Sequence, residues 1–117
     1  QTATQKDSLE INEIDRKLIY KMCDKAKENK IIITHGTDSI IETANFLSTI
    51  KKKTIVITGS MRPERFTNSD AGINIGLAIG GVQSLNQGVY IALNGLLIPQ
   101  NKIKKNMETG QYEKNKI

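Results

Sequence analysis

Cysteine and histidine each occur once in the 117 residues, proline twice and tryptophan never. A lone cysteine excludes an internal disulfide. Cys23 lies in a helical pattern, where a structural thiol is expected, and such usage fits a reducing, cytoplasmic compartment. No His/Cys/Asp/Glu cluster has metal-ligand spacing, so no metal and no other cofactor is expected. Aromatic residues make up 4% of the chain, too few for the stacking platforms that hold nucleic-acid bases. No apolar run approaches the roughly 20 residues of a membrane span. A phosphate-cradling turn is also missing: Gly76-Leu77-Ala78-Ile79-Gly80-Gly81 falls inside a helical pattern, where that turn cannot form.

What remains is a globular composition with 38% hydrophobic residues, enough for a modest core. The net charge of +5 comes from lysines dispersed over helix surfaces and the tail. It reads as a solvated surface, and neither nucleic acid nor membrane is an expected partner. Residues 12–29 have helical spacing (Ile14, Leu18, Ile19, Met22, Ala26), with Asn12 as N-cap and Asp15 three residues on. Ile31–Thr34 is a continuous β-branched run, expected to be a strand buried on both faces. A second helix covers about 40–50, and lysines 51–53 suit its C-terminal dipole. Thr54–Thr58 is a second strand, followed by a loop to Asn68 and a cap at Ser69-Asp70. The third helix runs to about Leu85, and its small residues (Gly72, Gly76, Ala78, Gly80, Gly81) imply close packing on a sheet. Val89–Leu93 is the third strand, and 101–117 reads as a polar tail. This alternation predicts one α/β domain over 1–117, three-layered, with a mostly parallel sheet flanked by helices. At least one further strand is expected before residue 8, since the first helix otherwise has nothing to cross from.

Ligands of open α/β sheets bind beyond the carboxyl ends of the strands. That selects the loops 34–39, 59–69 and 94–106. In the first, Gly36 allows close backbone approach, and a hydroxyl beside a carboxylate at Thr37-Asp38 suits an amino-acid head group. Two readings stand side by side at this point, a ligand site or a plain helix cap. His35 likewise reads either as a general base or as a structural hydrogen-bonder at a strand end.

The run Ile33-Thr34-His35-Gly36-Thr37-Asp38-Ser39, continuing to Glu42-Thr43-Ala44, resembles the second active-site signature of bacterial-type asparaginases. Thr58-Gly59-Ser60-Met61-Arg62-Pro63, Ser69-Asp70 with Asn74, and Gly88 to Asn94 resemble the segments that follow it, in the same order. The resemblance spans Ser8 to Lys105. The wording of Met61 to Phe66 is closest to short, one-domain asparaginase-like proteins. It implies a small-molecule amide substrate, L-asparagine, hydrolysed to aspartate and ammonia by a homo-oligomer. Thr37, Asp38 and Lys105 match the family's catalytic threonine, aspartate and lysine, although Lys104 stands where a threonine usually precedes that lysine. Ser8 matches the substrate-binding serine, with Leu9 in place of the common glutamine, and Gly36 with Thr37 and Asp38 completes the expected binding set. The family's first signature, a Thr-Gly-Gly-Thr-Ile run carrying the primary nucleophile, is absent, so the chain is expected to be catalytically incomplete and to lack its first strands. The rival expectation is a non-catalytic amino-acid-binding module on the same scaffold. A third is a protein-association scaffold in which Thr37-Asp38 is only a cap.

Overall fold

All five residues of Thr54–Thr58 are buried, and the other elements assemble around that strand. The computed structural model describes residues 11–59, 71–109 and 112–115. Its elements are α1 (Glu13–Lys25), β1 (Lys30–Thr34), α2 (Ile40–Leu47), β2 (Thr54–Thr58), α3 (Ala71–Ser84), β3 (Gly88–Leu93) and β4 (Leu96–Pro99). A 3-10 turn (Gln100–Lys102) then leads into β5 (Ile103–Lys105) and β6 (Tyr112–Lys114). Strands β1, β2 and β3 pair in parallel, so that Thr34, Thr58 and Ala92 lie side by side near their carboxyl ends. β4 adds antiparallel to β3, giving the order β1-β2-β3-β4. The expected three-layer α/β arrangement with a mostly parallel sheet is observed.

Ile55, Ile57, Val89, Ile91 and Leu93 pack one sheet face against Ile19 and Cys23 of α1 and Ile40, Ala44 and Leu47 of α2. Val56 and Ala92 carry the opposite face against Ala78 and Val82 of α3. Each large side chain fully buried in these layers contributes about 1.5–3 kcal/mol. Burial also pushes the Cys23 thiol up from its usual range, against the pull of Lys53, which suits the structural role expected of it.

Several local expectations are corrected by packing. α1 has the expected capping box, with Asp15 N–H donating to Asn12 Oδ1 and Asn12 N–H to Asp15 Oδ2, both at 3.1 Å. It buries Asp15, Ile19 and Cys23, however, and leaves Ile14 76% exposed and Leu18 44% exposed. The helix rests on one face only, and the stripe at i, i+4, i+8 is the one that meets the sheet. β1 is not buried on both faces, because Lys30, Ile32 and Thr34 are exposed. Among the described residues it is an edge strand, paired only to β2. Nor do the α3 glycines all pack on the sheet. A methyl at Gly72, Gly76 or Gly80 would meet open space, and only Gly81 abuts Leu97.

The lysine run plays a different part as well. α2 ends at Leu47 without a basic residue in its last turn. Buried Lys53 instead donates to the carbonyls of Ala26 at 2.6 Å and Glu28 at 2.7 Å, where α1 ends. α1 stops at Lys25 because Ala26 turns extended, with ψ 142°. The stretch read as a polar tail contains the β5–β6 hairpin, with Ile103 and Tyr112 buried. Two isolated apolar positions in a polar segment carry no periodicity, which is why the hairpin escapes a sequence reading. The strand expected before residue 8, Ser8 itself and the Ser69-Asp70 cap lie outside the described residues.

Replacing Lys53 by Met should destabilise the fold by about 1 kcal/mol, because two carbonyls at the end of α1 lose their donor. The measurement is the urea unfolding midpoint, and an unchanged midpoint would contradict the role given to Lys53.

Candidate active site

The carboxyl ends of β1 and β2 meet at a point where only glycine fits. A Cβ on Gly59 would lie 2.5 Å from the His35 carbonyl oxygen and 3.5 Å from the Thr37 methyl. The ladder continues past β1 through His35 N–H donating to the Thr58 carbonyl at 2.9 Å. The chain then turns through Gly36, Thr37 and Asp38 into α2. The N-cap position of α2 is Ser39, so neither Thr37 nor Asp38 caps this helix. Thr37 contributes its carbonyl, which accepts from Ile40 N–H at 3.4 Å.

Behind this loop lies a relay of side chains. Arg16 Nε donates to Thr43 Oγ1 at 3.2 Å, Thr43 Oγ1 lies 2.9 Å from His35 Nε2, and His35 Nδ1 lies 2.6 Å from the Gly36 carbonyl. Burial holds the His35 ring below the usual imidazole range; the Gly36 bond and Glu42 oppose this, and Arg16 adds to it.

In front of the loop stands Tyr112. β4 runs away from the carboxyl edge, and in the β5–β6 hairpin that follows it Tyr112, the register partner of Lys105, reaches the 34–39 loop. The Tyr112 hydroxyl donates to the Thr37 carbonyl. The Lys105 ammonium lies 5.8 Å from the centre of the Tyr112 ring, within cation–π reach. Asn94 Nδ2 donates to the Tyr112 carbonyl at 3.4 Å. Burial, followed by the Glu42 and Asp38 carboxylates, pushes the Tyr112 phenol up to about 12.

Gly36, Thr37 and Asp38 are consecutive on one loop; Tyr112 touches that loop, and Lys105 lies beside the Tyr112 ring. The loop expected over 94–106 is instead a tight Asn94-Gly95 turn (φ 56° and 72°) into β4, followed by the returning β5. Sequence reasoning gave no role to Tyr112, Arg16 or Thr43. Asn74 also went without one, although a single asparagine in an apolar helix is a visible signal. It is fully buried, donates to the Gly59 carbonyl at 2.8 Å and accepts from Gly95 N–H at 3.1 Å. Thr58 Oγ1 is buried and has no partner among the described residues.

The family model described as Asparaginase, N-terminal, matches residues 1–112. The chain belongs to the asparaginase family. Over 83 residues, 67% of the chain, it is 39% identical to a glutaminase-asparaginase of Pseudomonas aeruginosa, of which it covers 23%. Over 98 residues, 80% of the chain, it is 34% identical to L-asparaginase 2 of Escherichia coli, of which it covers 28%. A probable cytoplasmic L-asparaginase from Campylobacter jejuni superposes with a TM-score of 0.82 at 27% identity, over 97% of this chain and 38% of that one. The chain thus spans about a quarter of the length of the curated asparaginase relatives it matches. No helix among the described residues of this asparaginase-family chain is long and apolar enough to cross a membrane.

The Tyr112 contact predicts a pH dependence. An ordinary tyrosine titrates near 10, and the folded state holds this one up to about 12. The contribution is full below pH 10 and is lost as the pH rises through about 12, where the native state also gives up the proton. The stability difference between the unmodified protein and Tyr112→Phe, measured by urea unfolding, should shrink across that window. Gly59→Ala should cost about 1–3 kcal/mol through backbone displacement; a midpoint equal to that of the unmodified protein would contradict the close approach.

Proposed function

We propose that this chain supplies the Thr-Asp-Lys half of an L-asparaginase active site, acting on the side-chain amide of L-asparagine to give aspartate and ammonia. Its 117 residues form a single domain of the family's N-terminal type. The observation that supports this reading is the contact of Tyr112, the register partner of Lys105, with the Thr37 carbonyl. A threonine hydroxyl is a poor nucleophile and needs a base and pre-organised surroundings. Lys105 serves in proton transfer beside Thr37, and Asp38, exposed on the same loop, pairs with the substrate ammonium. Backbone amides at the Gly36 turn face the oxyanion of the tetrahedral intermediate. Ser8 binds substrate by its match to the family serine.

Turnover on this reading also requires a Thr-Gly-Gly-Thr-Ile segment, and the 117 residues contain none. The protein is expected to work in the cytoplasm as a homo-oligomer. The single cysteine supports the first expectation, and the family resemblance the second.

The test is ammonia release from L-asparagine by the whole gene product. Thr37→Ala and Lys105→Met should each lower kcat by about 100-fold or more, the usual weight of a proton-transfer partner. Full activity in either variant would sink the assignment. Aspartate binding without any turnover in the unmodified protein would favour the amino-acid-binding module instead.

A further inference from the structure

We infer that His35 is a positioning residue whose neutral ring, held as the Nδ1–H tautomer, orients the Gly36–Thr37 peptide toward the substrate. The inference rests on the reading of Thr37 as a substrate-facing residue. The proton assignment follows from the partners. Gly36 offers His35 Nδ1 a carbonyl oxygen at 2.6 Å, and a carbonyl only accepts. A bare Nδ1 lone pair at that distance would face another lone pair, so Nδ1 carries the proton. On the other side, Arg16 Nε donates to Thr43 Oγ1, which leaves the single hydroxyl proton of Thr43 to point at His35 Nε2, 2.9 Å away. Each group in the relay then has one donor facing one acceptor.

Two consequences follow. Neither ring nitrogen is free to take a substrate proton, since Nδ1–H is given to a carbonyl and the Nε2 lone pair is taken by Thr43. His35 is therefore not the general base that a lone histidine in a site invites. The same bond fixes the Gly36 carbonyl, and across a planar trans peptide the Thr37 N–H points the opposite way. That amide is directed away from the Thr43 side of the loop, while the Tyr112 hydroxyl holds the next carbonyl, that of Thr37. Both peptide groups flanking Thr37 are thus pinned, one by the His35 ring within the loop and one by Tyr112 from the last hairpin. Burial first favours the neutral form; among the described residues Arg16 on α1 adds to it, while the Gly36 bond and Glu42 on α2 oppose it.

His35 is the only histidine of these 117 residues, and in a two-bond 1H–15N spectrum at pH 7.5 its imidazole is the signal that His35→Asn removes. The expected pattern is a protonated Nδ1 and an unprotonated Nε2. Thr43→Val should move the Nε2 resonance, and Thr43→Ser should restore it. Side-chain replacements separate positioning from bulk. The amide nitrogen of Asn overlays Nδ1, whereas that of Gln overlays Nε2. L-aspartate affinity, read by calorimetry, should stay within about threefold in His35→Asn and fall on the order of tenfold in His35→Gln, the weight of one hydrogen bond. An Nε2–H tautomer, a mixture of tautomers, or equal losses in the Asn and Gln variants would overturn the inference. If the unmodified protein binds no aspartate, the active-site reading fails. The Thr37 amide resonance, displaced in His35→Gln and kept in His35→Asn, then still decides whether His35 positions the loop.

Discussion

Burying Thr54–Thr58 on both faces removes water from five N–H and five C=O groups only if neighbouring strands take its place, because an unpaired buried amide costs as much as a lost hydrogen bond. β1 and β3 supply those partners, and both run parallel to β2. Parallel pairing requires crossovers, and with the strands in the sequential order β1-β2-β3 two right-handed ones would leave α2 and α3 on one face; they pack on opposite faces, so the two crossovers are of opposite hand. The packing of each helix thus sets the layer order, while parallel pairing sets the direction of the strands. That pairing also brings Thr34, Thr58 and Ala92 into line, so that the three following segments leave the sheet at a single edge.

That edge is secured by polar contacts rather than by more core. Asn74 reaches from α3 to Gly59 after β2 and to Gly95 after β3. His35 and Thr43 tie the first loop back to α1 and α2. Tyr112 ties it forward to the last hairpin. Buried polar groups that satisfy one another specify position more sharply than apolar contacts, since each has few geometries that work. The exposed groups of the candidate site, Gly36 and Asp38, are carried on a loop whose other atoms are held from three sides.

Much of the frame was legible in the chain itself. The β-branched runs 31–34 and 54–58 and the apolar run 89–93 mark strands because such side chains pack well on a pleated surface. Asn12 and Asp15 mark a helix start by a reciprocal hydrogen bond that is local in sequence. The Asn94-Gly95 pair, flanked by leucines, is a strong hairpin signal, and β4 could have been found from it. Which face of α1 is buried was not legible, since Ile14 and Leu18 are as apolar as Ile19 and Cys23. Only the position of the sheet distinguishes the two stripes.

For the site, the sequence by itself determined the composition of the 34–39 loop and its place after a strand, because those follow from local spacing. The tertiary structure decided its neighbours. Thr43 reaches His35 across a turn of α2, Arg16 comes from α1, and Tyr112 returns from a segment that looks like a tail. These contacts join residues 27 and 75 positions apart in the case of Arg16–Thr43 and Thr37–Tyr112. No periodicity along the chain encodes such pairs; they arise only when the parallel sheet has set where each loop emerges.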